Sequence, residues 1–262
     1  MSATPPFPTG PAPSAARSRL FRAFGGVCRL TWPNALAPKH ALLVLALLAL
    51  LAVAGTGMVQ SPHGARTYLR WMIESYFTLL VPLLAFVTAG GVVRDEMKPA
   101  TLDYVLIRPL PRAAFVAFKY VAHLLVAQVE FLLGGMVLIV IGIVRHAPGV
   151  ADAIPSLLLT EVCLVGGFTA FGFACGALTS RYVVVGLVYA AIVEGGIGQI
   201  PTQLSRLSMT HQARAALLPL TDLLPPTGLP PLILSLGVFT VAALAVAAVI
   251  FHVRELSPAP DA

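Results

Sequence analysis

Six apolar runs divide this chain, at about residues 41–59, 71–93, 113–144, 155–178, 183–200 and 229–253. A helix crosses the roughly 30 Å hydrocarbon core of a bilayer with about 17–25 apolar residues, so each run is long enough to cross once. In lipid, every backbone N–H and C=O must find a partner within the protein, and a chain patterned in single long runs meets that demand as helices. The expected fold is an all-α membrane protein, one domain over residues 15–255 with six transmembrane helices. Only 11% of residues are charged and 58% are hydrophobic, against about 25% charged in soluble domains. No length remains for a separate soluble domain. The 113–144 run exceeds one crossing, and its first turns are expected to project into water. Ala52-Val53-Ala54 resembles a signal-peptidase site, but some forty residues precede the run and five more runs follow it. That is wrong for a signal peptide, and the first span is expected to be retained.

Lys and Arg set the orientation, because they concentrate in cytoplasmic connections. With the N-terminus inside, twelve of the 17 fall on the cytoplasmic side, and both termini are cytoplasmic. The net charge of +6 therefore points to a lipid bilayer as partner and not to nucleic acid. Residues 1–14, rich in proline and small side chains, are expected to form a disordered tail. Over 15–32, Leu20, Phe21, Phe24, Val27 and Cys28 recur at helical spacing, with Arg17, Arg19, Arg22 and Arg29 mostly off that face. This predicts an amphipathic interfacial helix with its arginines toward lipid phosphates, with a disordered basic tail as the alternative, given Gly25 and Gly26. Residues 256–262 form a short cytoplasmic tail. Cys28, Cys163 and Cys175 show no metal-ligand spacing, and no metal site is expected.

The connection between the second and third spans, residues 94–119, carries eight charged residues and three prolines. Its centre reads as a short helix. Thr101 can cap it, Asp103 lies in the first turn and Arg108 in the last, each favoured by the helix dipole. Pro109 stops it. Leu102, Val105 and Leu106 share one apolar face. So short a helix is unstable alone in water, so it needs a surface to lie against.

Glu96, then Ala100-Thr101-Leu102-Asp103, Tyr104-Val105-Leu106, Pro109-Leu110-Pro111-Arg112 and Lys119 resemble a series found after the second span in the membrane (permease) subunits of type-2 ABC exporters. The order and spacing agree, while two glycines of that series are replaced here by Ala100 and Phe118. The resemblance implies that the hairpin holds a coupling helix docked on a separate ATP-binding cassette ATPase. Glu96, Thr101, Leu102, Asp103, Val105, Leu106, Pro109, Arg112 and Lys119 would be its coupling residues. It also implies a bacterial cytoplasmic (inner) membrane location and a dimer with a second permease copy or a paralogue. ATP and Mg would be used by the partner, with no cofactor bound by this chain. Independently, the chain has no GxxxxGK[ST], so it encodes no phosphate cradle of that kind and is not expected to hydrolyse ATP by that chemistry; with the resemblance, this implies a transport subunit and not an enzyme.

Four glutamates fall within spans. A charge at mid-membrane costs about 3 kcal/mol on insertion scales, which makes each a candidate. Glu74 and Glu161 are expected near the outer helix ends, within reach of water. Glu130, near mid-membrane, and Glu194 are the candidates for a substrate path, against a plain role in pinning helices. Gly172 and Gly176 form a GxxxG expected to pack within one subunit. The cluster Gly195–Gly198 with Pro201 suggests a broken helix near the outer face, and the long connection after it, mixed in polarity over 202–218 and then proline-rich, is expected to form an interfacial helix pair, as a substrate gate or a rigid surface loop. Two other classes remain as alternatives: a membrane-embedded enzyme, and a non-transporting scaffold or sensor. Only His123 among the six histidines is expected within a span, so no catalytic residue is named.

Overall fold

The computed structural model describes residues 24–29, 32, 37–61, 63–96, 112–196, 198, 205, 208–222 and 229–254. Among these the regular structure is entirely helical. Helix α1 spans Pro38–Gln60. Helix α2, Gly64–Met72, runs through a π-helical segment, Ile73–Leu80, into α3, Val81–Glu96. Helix α4 is Arg112–Val144 and α5 is Val150–Leu178. Helix α6, Tyr182–Tyr189, continues as a π segment, Ala190–Glu194. Then come α7, Met209–Leu217, with a 3-10 turn at Leu218–Asp222, and α8, Leu229–Arg254.

Five of these helical stretches are long and apolar enough to cross a membrane: α1, the continuous α2–α3, α4, α5 and α8. The run expected to span 183–200 differs, because its apolar helix stops at Glu194 after 13 residues, about 20 Å at 1.5 Å per residue. Two causes end it there. Gly195 and Gly196 have low helix propensity, and the Glu194 carboxylate is engaged by the start of α7.

The wide π turn between α2 and α3 also has a sequence cause. Pro82 has no N–H for the Thr78 carbonyl and its ring crowds that carbonyl. The Val81 N–H accordingly reaches back to Tyr76 O. Helix α5 starts five residues before the expected boundary. Gly149 precedes it at φ 78°, a conformation glycine adopts without strain, and Pro155 sits inside the helix near its start.

Helix α5 is the axis of the bundle. Two-thirds of its most apolar stretch is buried, against 11% for α1 and α8. Its contact with α3 is backbone-close. A Cβ at Gly172 would lie 2.5 Å from Phe86 O, and one at Gly176 would lie 2.6 Å from Gly90 O. The GxxxG thus packs within this chain, as small residues do where helices approach in lipid. Polar side chains inside the bundle bond across helices. Tyr68 donates to Leu138 O (2.8 Å), Tyr120 to Gly166 O (3.0 Å) and Gln128 Nε2 to Val162 O (2.9 Å). Residues 24–29 are helical, and Val27 and Cys28 pack with Phe24 against Phe115, Phe118 and Ala122 on the first turns of α4. The rest of the expected interfacial helix lies outside the described residues.

Candidate functional site

The expected coupling helix, including Thr101, Leu102, Asp103, Val105, Leu106 and Pro109, lies outside the described residues. Its brackets are described: Glu96 is the last residue of α3 and Arg112 the first of α4. Lys119 lies two turns into α4 and is only 6% exposed.

The four glutamates expected within spans all have partners. Glu130 meets His40 in the first turn of α1, Oε1 to Nε2 at 2.6 Å, each side chain about a quarter to a third exposed. The pair borders a groove of about 590 Å³ between α1 and α4, walled by Val44, Leu45, Leu48, Leu125 and Val129 with Trp32 at its rim. His40 escapes the apolar pattern because it falls just outside the run, although the helix begins at Pro38.

Glu194 is tied to α7. Its Oε1 accepts from the Tyr189 hydroxyl (2.9 Å) and the Met209 N–H (3.1 Å). Its Oε2 accepts from the Thr210 N–H (3.1 Å) and from the Ser208 and Thr210 hydroxyls. Ser208 in turn accepts from the His211 N–H (3.0 Å). The first N–H groups of a helix have no partner within it, and a carboxylate there also meets the positive end of the dipole. Glu194 therefore caps α7 from another helix, with every acceptor position in use. Beside it lies a second cavity, of about 400 Å³, with Phe86, Phe168 and Phe171 in its wall and Arg214 at its polar end.

Glu74 pairs with Arg214 of α7, Oε2 to Nη2 at 2.6 Å, about a third exposed. Glu161 differs from expectation. It is fully buried in mid-bundle, not within reach of water, because α5 starts well before Pro155. Its Oε1 lies 2.8 Å from the Tyr76 hydroxyl on the π segment, a partner that no local pattern in the chain announces.

A pattern of long apolar helices around a charged connection is compatible with several membrane families, and the sequence comparison decides between them. Residues 38–198, more than half of the chain, match the family described as ABC-2 family transporter protein. The chain belongs to that family. The match runs from the first residue of α1 to just past α6, so all four glutamates and the hairpin fall inside the ABC-2 region. A comparison with curated proteins returns no match. This ABC-2 protein is thus a multi-pass membrane permease of an ABC-type transporter.

Proposed function

We propose that this ABC-2 protein is the permease subunit of an exporter in the bacterial cytoplasmic membrane, driven by ATP hydrolysed by a separate ATPase subunit docked on the hairpin at 94–119. The observation that carries the reading is the family match across that hairpin, together with the ordered series Glu96, Thr101-Leu102-Asp103, Pro109, Arg112, Lys119. Two long helices support the lever. Glu96 closes α3 and Arg112 opens α4, so a push on the hairpin would act on both at once. Both also contact α5, α3 through its glycines and α4 through Tyr120 and Gln128. A second permease, identical or paralogous, completes the proposed dimer, with six crossings in each and both termini inside. Glu130 with His40 stands on the groove side of the bundle. Glu194, holding α7 in place, keeps the far end of α6 closed.

Leu106→Asp tests the docking. The variant should insert and purify as the unaltered protein does while the co-expressed ATPase no longer co-purifies. Retention of the ATPase at the normal ratio removes Leu106 from the docking face. Transport into proteoliposomes that contain the permease and its ATPase, with and without ATP, separates an exporter from a scaffold that merely binds an ATPase.

A further inference from the structure

We propose that Glu161 is a proton-binding site: a neutral carboxylic acid whose O–H donates to the hydroxyl oxygen of Tyr76 at the centre of the closed bundle. The argument is a count of hydrogens. The Tyr76 Oη lies 2.5 Å from Phe131 O and 2.8 Å from Glu161 Oε1. A phenolic hydroxyl carries one hydrogen, and a backbone carbonyl carries none. At 2.5 Å, the contact with Phe131 O requires a hydrogen between the two oxygens, so Tyr76 must supply it. The contact with Glu161 then needs a hydrogen of its own, and the carboxyl group is the partner able to bring one. The opposite assignment spends the tyrosine hydrogen on the carboxylate and leaves two oxygen lone pairs facing each other at 2.5 Å.

The second carboxyl oxygen makes the same case independently. Glu161 Oε2 is buried and has no hydrogen-bond partner among the described residues, and the residue has no exposed surface. An ionised carboxylate has roughly four acceptor sites to satisfy, and burying it unpaired costs far more than burying a neutral carbonyl oxygen. The neighbouring helix is shaped to the group. A Cβ on Gly134 would come within 2.7 Å of Tyr76 Oη, and a Cβ on Gly135 within 2.6 Å of Glu161 Oε2. Adjacent glycines on α4 thus leave the volume that the tyrosine and the acid fill. The acid proton joins α5 to the π segment, and the Tyr76 hydrogen joins that segment to α4, without placing a charge among them. Retention of the acid proton depends on their staying closed. A separation of α4 from α5 that admitted water would let the acid ionise, so the bound proton marks the closed bundle.

Infrared difference spectroscopy on the full-length protein in detergent tests this, by subtracting the spectrum of Glu161→Gln from that of the unaltered chain. The expected difference is a carbonyl stretch of an un-ionised carboxylic acid, present only in the unaltered protein. Loss of ionised carboxylate bands in its place overturns the proposal. The side-chain amide introduced by Glu161→Gln can still donate an N–H to Tyr76, so the variant should melt with the unaltered protein. Should Glu161→Gln fail to fold, Tyr76→Phe supplies the reading. Its acid band should move to higher frequency as the carboxyl proton loses its acceptor, and an unmoved band counts against the assignment.

Discussion

At the scale of single residues, the glutamates of the apolar helices divide by the number of donors they face. Glu194 faces five, most of them from the first turn of α7 or its cap. Replacing one carboxylate oxygen by an amide nitrogen sets a donor against donors. Hydrogen bonds to charged groups contribute about 1.5–3 kcal/mol each, and losses in one network overlap. Glu194→Gln is therefore expected to cost roughly 2–4 kcal/mol. At this chain length that is about 4–16 °C in a detergent melting curve. An unchanged melting temperature removes Glu194 as the cap. Glu74 and Arg214 make a single contact, about a third exposed, where screening limits an ion pair to about 1 kcal/mol or less. A double-mutant cycle with Glu74→Ala and Arg214→Ala should return a coupling in that range. A coupling above about 2 kcal/mol would show that lipid, not water, surrounds the pair.

At the scale of elements, the contact of α5 with α3 sets the tightest limit on sequence. Gly172 and Gly176 each face backbone atoms, Phe86 O and Gly90 O, which no rotamer change can move aside. Gly172→Ala should therefore overpack the contact and cost about 1–3 kcal/mol, read as a lower melting temperature and a smaller monodisperse fraction. Gly237 in α8 is the internal control, since a Cβ there meets nothing within 4 Å. Gly237→Ala should be neutral, or stabilising by up to about 1 kcal/mol. The Gly172–Gly176 spacing, like the apolar cores of α1, α4, α5 and α8, is legible in the chain, because both are properties of one helix and its nearest contact. What is not legible is decided between elements. The π turn depends on how Pro82 is accommodated. The end of α6 depends on a carboxylate that α7 claims. The burial of Glu161 departs from expectation because Pro155 reads as the start of a span, whereas the helix starts at Val150 behind Gly149 and carries Pro155 in its second turn. Pairings such as His40 with Glu130 or Tyr76 with Glu161 join residues 85 or more positions apart, and no local periodicity encodes them.

At the scale of the whole molecule, the question is how a 13-residue helix serves where about 20 residues are usual. Helix α6 runs back along α3. Tyr182 lies against Gly90, Gly186 faces the ring of Phe86, and Glu194 shares a cavity wall with Thr78. It thus carries the chain from the end where α3 and α5 finish toward the end where α7 caps on Glu194. The missing length is made up by protein: α7 and the 3-10 turn bury Met209, Leu217 and Leu220 against the bundle. Irregular backbone is tolerated at membrane depth where protein, not lipid, surrounds it. Helix α6 should therefore complete a crossing, with Arg181 and Gly196 on opposite sides. Both positions are exposed, as is Arg145 at the turn between α4 and α5. In a version lacking Cys28, Cys163 and Cys175, single cysteines at 103, 145, 181 and 196 can be labelled in intact cells with a membrane-impermeant maleimide. Charge bias puts twelve of 17 Lys and Arg on the inner side. Asp103→Cys and Arg181→Cys should accordingly react only after the cells are opened, and Arg145→Cys and Gly196→Cys before. Reaction of Gly196→Cys only after opening, alongside Arg181→Cys, would make α6 re-entrant and leave five crossings. Reaction of Asp103→Cys from outside would be more serious, since it would remove the hairpin from the compartment that holds ATP.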